Sequence, residues 1–162
     1  DGAIQHAGIW LLEHRPSADP LLAVNSFAKQ PGDFPSANKA MTYQALSAAC
    51  ILVDKSLFEE IKGFDQGFWN GYEDVDLCLR MGEKGRKIVY EPDSVVIHYE
   101  SQSGKERFSK VKENIDRLHK KWLGKVTVDY IVETDKKIIP TRAGKIAPYK
   151  YLLKAQNEKI KP

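Results

Sequence analysis

The sequence predicts an α/β fold in which helices flank a mixed sheet, and two observations support this class. Short apolar segments of strand-like composition alternate along the chain with segments whose apolar residues are spaced three and four apart, as in helices. Such alternation is typical of layered α/β folds. With 162 residues, 42% hydrophobic and 29% charged, the chain has the size and composition of one globular domain or part of a larger one.

The N-terminal half is predicted to contain two strands, a long loop between them and a short helix. Residues 4–12 and 43–53 are apolar, which is typical of buried strands. Residues 13–40 contain four prolines and many polar residues, which indicates a loop. The sequence that follows is typical of a short helix that Asp54 caps and Gly63 ends.

The C-terminal half is predicted to contain a helix within WNGYEDVDLCLR and its continuation, then two strands, a long helix and a last strand. The two strands are 87–91 and 94–99, whose apolar character is typical of strands covered on both faces. An amphipathic pattern indicates the long helix over 105–123, and 126–132 is strand-like. The apolar positions of that helix are Phe108, Val111, Ile115, Leu118 and Trp122.

The helix in WNGYEDVDLCLR carries acids with different predicted surroundings. Asn70 is a candidate N-cap, and Glu73, three residues later, can reach back to the N–H of the cap. Winding the helix at about 100° per residue places Asp76 and Glu83 on a polar, solvent-facing arc, where Asp76 can pair with Arg80. Asp74 falls inside the apolar arc instead.

Asp74 and His98 are therefore the residues whose positions need an explanation. A carboxylate directed into a core is costly unless it is paired or faces a polar cavity. Asp74 either holds a loop through backbone N–H groups or borders a cleft and acts as a general base. His98, at the end of an apolar segment, is either a structural residue or a ligand for a divalent metal.

The run GFDQGFWNGYEDVDLCLRMGEKGRKIVYEPDSVVIHYESQSG resembles the C-terminal half of the catalytic domain of family 2 glycosyltransferases, which have the GT-A fold. The preceding SAACILV, the opening DGAIQHAG, and Asn114 with Trp122 also resemble family positions, so the resemblance covers about residues 1–123. The only Asp-x-Asp in the sequence is Asp74-Val75-Asp76, inside the ED motif. The resemblance therefore implies a partial GT-A fold that lacks the N-terminal nucleotide-binding half with its DxD acids.

The resemblance also implies roles for individual residues. Asp74 corresponds to the base that deprotonates the acceptor, and Glu73 is its partner. His98 corresponds to a position that helps hold Mn²⁺ or Mg²⁺, a cofactor that would also require the missing DxD half. The residues implied in acceptor or donor binding are Trp69, Asn70, Gly71 and Ser103, with Ser101 as a further candidate for contact with diphosphate.

The implied function is inverting transfer of a sugar from a nucleotide-sugar donor to an acceptor hydroxyl of a glycan or lipid-linked acceptor, in polysaccharide or cell-surface biosynthesis. A chain without the donor-binding half is expected to be inactive alone. The alternative is a non-catalytic carbohydrate- or protein-binding scaffold domain derived from the same fold, in which the acids only cap and pair.

The C-terminal tail differs in charge from the rest of the chain. Residues 136–162 contain eight Lys or Arg and one acid, whereas the whole chain carries a net charge of only +3. We therefore expect a division into residues 1–124, the acceptor-binding and catalytic half of a GT-A domain, and 125–162, a basic extension. Such a tail is either a solvated extension or a contact to an anionic membrane surface. The expected location is the cytoplasm, either in its interior or at the cytoplasmic face of the membrane. No nucleic-acid partner is expected.

Overall fold

The structure is a computed structural model that describes residues 2–15, 17–99, 104, 106, 109–134 and 137–141. Nine elements occur in these residues, and their mixture of strands and helices confirms the predicted α/β class. The strands are β1 (Ile9–His14), β2 (Leu21–Asn25), β3 (Met41–Tyr43), β4 (Ile88–Tyr90), β5 (Tyr130–Thr134) and β6 (Lys137–Pro140). The helices are α1 (Lys55–Glu60), α2 (Glu73–Glu83) and α3 (Val111–Trp122).

The larger sheet is mixed and has the strand order β2-β1-β5-β6. Strand β1 pairs antiparallel with β2 and parallel with β5, which pairs antiparallel with β6. The buried Asp129 strengthens the central pairing, because its Oδ2 accepts the N–H of Leu11 at 2.8 Å and its own N–H donates to the Leu11 carbonyl. Strands β3 and β4 form a separate antiparallel pair.

Aromatic packing joins the two sheets in one core. Trp10 of β1 lies with its ring centroid 4.6 Å from that of Tyr43 in β3 and 5.6 Å from that of Tyr130 in β5. Gly8 lies against this cluster with φ +112, and a Cβ there would be 2.2 Å from the Tyr43 ring. The chain entering β1 therefore requires glycine at position 8.

Several predicted strands differ from the structure. The strand predicted at 4–12 begins only at Ile9 and continues to His14, and β2 lies inside the predicted loop 13–40. The prediction of a strand at 43–53 is wrong. Only Tyr43 belongs to β3, and the chain beyond it forms turns and irregular structure.

The second strand predicted after α2 is also wrong. Strand β4 confirms the prediction at 87–91, but residues 94–99 contain no strand and are exposed. Val95 is 82% and Ile97 81% exposed, so their apolar character does not reflect burial on two faces.

All three helices occur where the sequence predicts them, but the predicted N-termini of α2 and α3 differ from the structure. Asp54 accepts the N–H of Leu57 at 2.9 Å and caps α1 as predicted. Helix α2 begins at Glu73 with Tyr72 at the N-cap position, so Asn70 is not the cap. Helix α3 begins at Val111 rather than 105, and Phe108 lies outside the described residues.

The chain on both sides of residue 124 contributes to the same sheet. Strands β5 and β6 follow the predicted boundary and extend the sheet that β1 and β2 begin. The division into residues 1–124 and 125–162 stays a prediction. Residues 142–162, with most of the basic tail, lie outside the described part of the chain.

Candidate active site

Asp74 lies in the first turn of α2, half-buried, and both of its carboxylate oxygens accept backbone N–H groups. Oδ1 accepts from Val75 at 2.8 Å, and Oδ2 accepts from Ala48 at 3.2 Å. Burial is the main cause that raises the pKa of Asp74, and the neighbouring charge of Glu73 adds to it. A carboxylate with a raised pKa and unused lone pairs is chemically suited to accept a proton.

The turn that touches Asp74 is held by a second side chain that our sequence analysis missed. His6 Nε2 accepts the N–H of Ser47 at 2.9 Å. Burial lowers the pKa of His6 to about 4, so the imidazole is neutral at pH 7, with the hydrogen on Nδ1. The only sequence signal for this residue was its place in the DGAIQHAG segment, because a single histidine beside glycine has no diagnostic spacing.

The loop Trp69–Tyr72 precedes α2 and is fixed by a buried asparagine. Asn114 of α3 accepts the N–H of Trp69 at 2.9 Å and donates to its carbonyl at 2.7 Å. Glu73 accepts the N–H of Gly71, so it does reach back as predicted, although to a different residue. Asn70 and Tyr72 have φ values of 48° and 70°, which L residues seldom adopt.

The predicted ligand-facing residues of this loop are partly accessible. The Trp69 side chain is 50% exposed, and Lys110 Nζ lies 5.3 Å from the centroid of its ring. Gly71 is half-buried, and a Cβ there would lie 3.5 Å from Asn114 Nδ2, so the loop packs closely on α3. The structure thus brings Trp69, Asn70, Gly71, Glu73 and Asp74 together at the start of one helix.

His98 is exposed and does not end a strand as predicted. Its Nδ1 lies 2.6 Å from Gln5 Oε1. Since Gln5 precedes His6, which holds Ser47, a continuous path of hydrogen bonds and chain links connects His98 with the turn that contacts Asp74. Ser101 and Ser103, the predicted diphosphate contacts, lie outside the described residues.

Among the described residues, none is found that would complete a metal site around His98. The described part of the chain contains no group of three or more His, Cys, Asp or Glu side chains that could hold a metal ion. With Gln5 as acceptor of the Nδ1 hydrogen, Nε2 of His98 is suited to be one ligand, but a stable site needs several. The described residues alone therefore do not form a site for Mn²⁺ or Mg²⁺.

Asp76 is fully buried, which contradicts its predicted place on a solvent-facing arc. The predicted pair with Arg80 is present, with Arg80 Nε 2.8 Å from Asp76 Oδ2. Oδ1 also accepts from Lys121 Nζ at 2.5 Å and from Trp122 Nε1 at 2.8 Å, both in α3. Helix α3 covers this side of α2, so we call the Asp76 side the back face and the Asp74 side the front face.

A second acid extends the ion cluster on the back face. Asp65 pairs with Arg117 Nη2 at 2.6 Å and with Lys121 Nζ at 2.7 Å, and the hydrogen bonds from Arg117 are the main cause that lowers its pKa. These groups line a cavity of about 510 Å³ between α2 and α3. Because the acids are matched by fixed cations, the arrangement explains helix packing and does not by itself indicate catalysis. Glu83, at the cavity rim, is exposed as predicted.

In the part of the chain that the structure describes, none of the helices has the length and apolar character needed to cross a membrane.

Comparisons with known proteins agree with the resemblance seen in the sequence. A family model described as "Glycosyltransferase like family 2" matches residues 2–119. The N-acetylglucosaminyl-diphospho-decaprenol L-rhamnosyltransferase of Mycobacterium tuberculosis is 41% identical over 58 residues, 36% of this chain and 19% of that protein. The rhamnosyltransferase WbbL of Escherichia coli K12 is 42% identical over 60 residues, 37% of this chain and 23% of that protein.

A third relative aligns over more of the chain. The O-antigen biosynthesis protein RfbC of Myxococcus xanthus is 26% identical over 115 residues, 64% of this chain and 8% of that protein. The matched segments thus span less than a quarter of the length of each of these three relatives. No solved structure gives a significant match.

Proposed function

Because the chain belongs to glycosyltransferase family 2, we propose that it forms part of an enzyme that transfers a sugar from a nucleotide-sugar donor to an acceptor hydroxyl. The observation that carries this proposal is Asp74. It is an acid at a helix start, half-buried, with a raised pKa, and in the described part of the chain its hydrogen-bond partners include no cation.

Asp74 is the general base in this proposal. An acceptor hydroxyl within about 2.6–3.2 Å of a free lone pair of Asp74 would lose its proton to the carboxylate as its oxygen attacks the anomeric carbon. Attack on the face opposite to the leaving nucleotide gives inversion. The two backbone N–H groups keep the carboxylate in one orientation and leave lone pairs free for this contact.

The Trp69–Tyr72 loop is proposed to bind the acceptor. The exposed indole of Trp69 offers an apolar face on which a sugar ring can stack. Asn114 fixes the backbone of Trp69 through both its N–H and its carbonyl. Glu73 is proposed to act as the partner of Asp74, because it fixes Gly71 and therefore the end of the loop that enters α2.

The donor and its cofactor require more than the described residues. We propose that His98 faces the donor side and that further acids from outside this chain complete the metal site, since the only Asp-x-Asp lies inside the ED motif. On this basis the 162-residue chain is proposed to be inactive alone. Transfer by the isolated chain would contradict this part of the proposal.

The names of the relatives guide the choice of substrates. Two of them are named as rhamnosyltransferases, and the name of one specifies a lipid-diphosphate-linked sugar as its acceptor. A third is named for O-antigen biosynthesis. We therefore propose a role in cell-surface polysaccharide biosynthesis and take rhamnose as the first donor sugar to test. The basic tail is proposed to approach the membrane surface that would carry such an acceptor.

The test compares Asp74→Asn with Glu83→Gln in a longer protein that joins this chain to a donor-binding half. Asn keeps the shape and one acceptor oxygen but cannot take the proton. We expect kcat to fall by about 10²–10⁴ with Asp74→Asn and to stay near wild type with Glu83→Gln, an exposed acid of the same helix. Sugar transfer is measured with radiolabelled donor, and an Asp74→Asn enzyme of normal kcat would sink the role of base.

The scaffold alternative is favoured by one observation, namely that both Asp74 oxygens already hold backbone N–H groups. A scaffold would bind a glycan with equal affinity in wild type and Asp74→Asn and would transfer no sugar in the longer protein. The two readouts, affinity and transfer, therefore separate the two functions.

A further inference from the structure

Three consecutive backbone N–H groups, those of Leu46, Ser47 and Ala48, donate to three different side chains. Leu46 donates to Cys78 Sγ at 3.4 Å, Ser47 to His6 Nε2 at 2.9 Å and Ala48 to Asp74 Oδ2 at 3.2 Å. We call residues 46–48 the gripped turn. Irregular backbone usually donates to other backbone groups or to water, so three side-chain acceptors in succession mark an unusually specified turn.

Two of the three acceptors belong to α2 and the third does not. Asp74 and Cys78 are four residues apart and lie on the same front face of the helix. His6 comes from the segment before β1, which is tied to the residue before the turn because the Ile9 N–H donates to the Ala45 carbonyl at 3.0 Å. Together with the Ile9–Ala45 bond, His6 therefore ties the turn to the sheet rather than to the helix.

Among the described residues, the bond from the Ala48 N–H is the only hydrogen bond of Asp74 that reaches across the fold, since Val75 is the next residue in the chain. Its direction depends on the peptide plane between Ser47 and Ala48. A second bond to the adjacent Ser47 N–H restricts the rotation of that segment. By holding the preceding peptide, His6 restrains the directions in which the Ala48 N–H can point toward the Asp74 carboxylate.

We propose that His6 is a positioning residue for Asp74, which orients the carboxylate toward the acceptor hydroxyl by holding the gripped turn. This inference rests on the proposed function, since orientation of Asp74 has a catalytic purpose only if Asp74 is the base. His6 itself does not touch the substrate or exchange a proton in this scheme. The positioning role requires only that Nε2 of His6 keeps its lone pair to accept the Ser47 N–H.

The experiment is NMR of the 162-residue chain with two variants that differ by one methylene group. His6→Gln places an amide oxygen near the position of Nε2. The asparagine side chain of His6→Asn is too short for its oxygen to reach the Ser47 N–H. In His6→Asn we expect the Ser47 and Ala48 amides to exchange with solvent about tenfold faster. The Ala48 amide shift should also lose most of its response to Asp74 ionisation, and His6→Gln should restore both properties.

His119→Asn is the matched control, because His119 in α3 is also half-buried and its Nε2 lies 2.9 Å from the backbone oxygen of Leu21 in β2. We expect this variant to leave the gripped turn unchanged. An unchanged Ala48 response in His6→Asn, or an equal loss in His119→Asn, would overturn the proposal. Exchange of the buried Leu11 and Val132 amides reports whether each variant is folded.

These outcomes are independent of the test of the proposed function. If Asp74→Asn retains sugar transfer, Asp74 is not the base, although His6→Asn would still change the Ala48 amide as expected. Loss of transfer in Asp74→Asn together with an unchanged Ala48 response in His6→Asn would leave the base in place and remove the role of His6.

Discussion

The two faces of α2 carry acids only two residues apart that the fold treats in opposite ways. On the back face, Asp76 is fully buried and meets Arg80, Lys121 and the Trp122 N–H. On the front face, Asp74 is half-buried and meets only backbone N–H groups among the hydrogen bonds shown for it. One acid has its charge balanced by fixed cations, and the other does not.

This difference supports the proposal that Asp74, rather than Asp76, takes part in the chemistry. The Asp76 carboxylate is fully buried and its oxygens already accept from two cations and an indole N–H, so it is not accessible to a substrate. A carboxylate held by neutral N–H groups in a partly buried place keeps its charge at a cost, which the raised pKa of Asp74 expresses. Proton transfer to Asp74 relieves that cost.

The largest expected effect comes from removing the charge on the back face. Asp76→Asn leaves Arg80 and Lys121 without their buried partner, and we expect it to lower the free energy of unfolding by about 3–5 kcal/mol. The same substitution at Asp74 should change it by no more than about 1 kcal/mol, because an amide oxygen can still accept the Ala48 N–H. Urea denaturation compares the two variants, and equal losses would mean that the two faces do not differ.

A smaller effect is expected from the asparagine that supports the front face. Asn114→Ala leaves the N–H and carbonyl of Trp69 without partners, which should cost about 2 kcal/mol of unfolding free energy and loosen the Trp69–Tyr72 loop. Asn38→Ala is the control, since Asn38 is exposed and its bonds to backbone carbonyls of 3.2 and 3.4 Å are long. Equal stability of the two variants in urea would show that the loop does not depend on Asn114.

The smallest expected effect is a net pH dependence, because two of the three side chains that hold the gripped turn, His6 and Asp74, contribute with opposite signs. His6 has a pKa lowered from 6.5 to about 4, so the unfolded chain binds this proton first and stability falls as the pH drops from about 6.5 to 4. Asp74 has a raised pKa, so its protonation favours the folded state as the pH falls.

Two variants separate these contributions. Thermal unfolding between pH 4 and 7 should show a flatter stability profile for His6→Gln than for wild type and a steeper loss toward pH 4 for Asp74→Asn. A His6→Gln profile that coincides with wild type would show that the histidine is not buried in its neutral form.

The sequence predicted the front face better than the back face, for a physical reason. Winding one helix isolates Asp74 because the neighbours that make it exceptional belong to the same helix. It fails for Asp76 because the cover over that face comes from Lys121 and Trp122, more than forty residues later. A polar arc on a helix predicts solvent exposure only when no other element packs against that arc with side chains of opposite charge.

The strand predictions show the same limit. Residues 94–99 are apolar but exposed, and nothing local distinguishes them from a buried strand. Strand β2 was missed because the surrounding prolines indicate a loop, yet β1 pairs with it over five residue pairs. The Ser47–His6 bond joins residues 41 apart in sequence and has no local signature.

The ion cluster between α2 and α3 has a consequence for engineering. It anchors the helix from behind, so the loop in front of the helix can change without moving Asp74, the proposed base. If the proposed function holds, substitutions at Trp69, which is 50% exposed, should alter the choice of acceptor sugar and leave the position of Asp74 unchanged. A library confined to that loop would then explore new acceptors with the proposed base in a constant place.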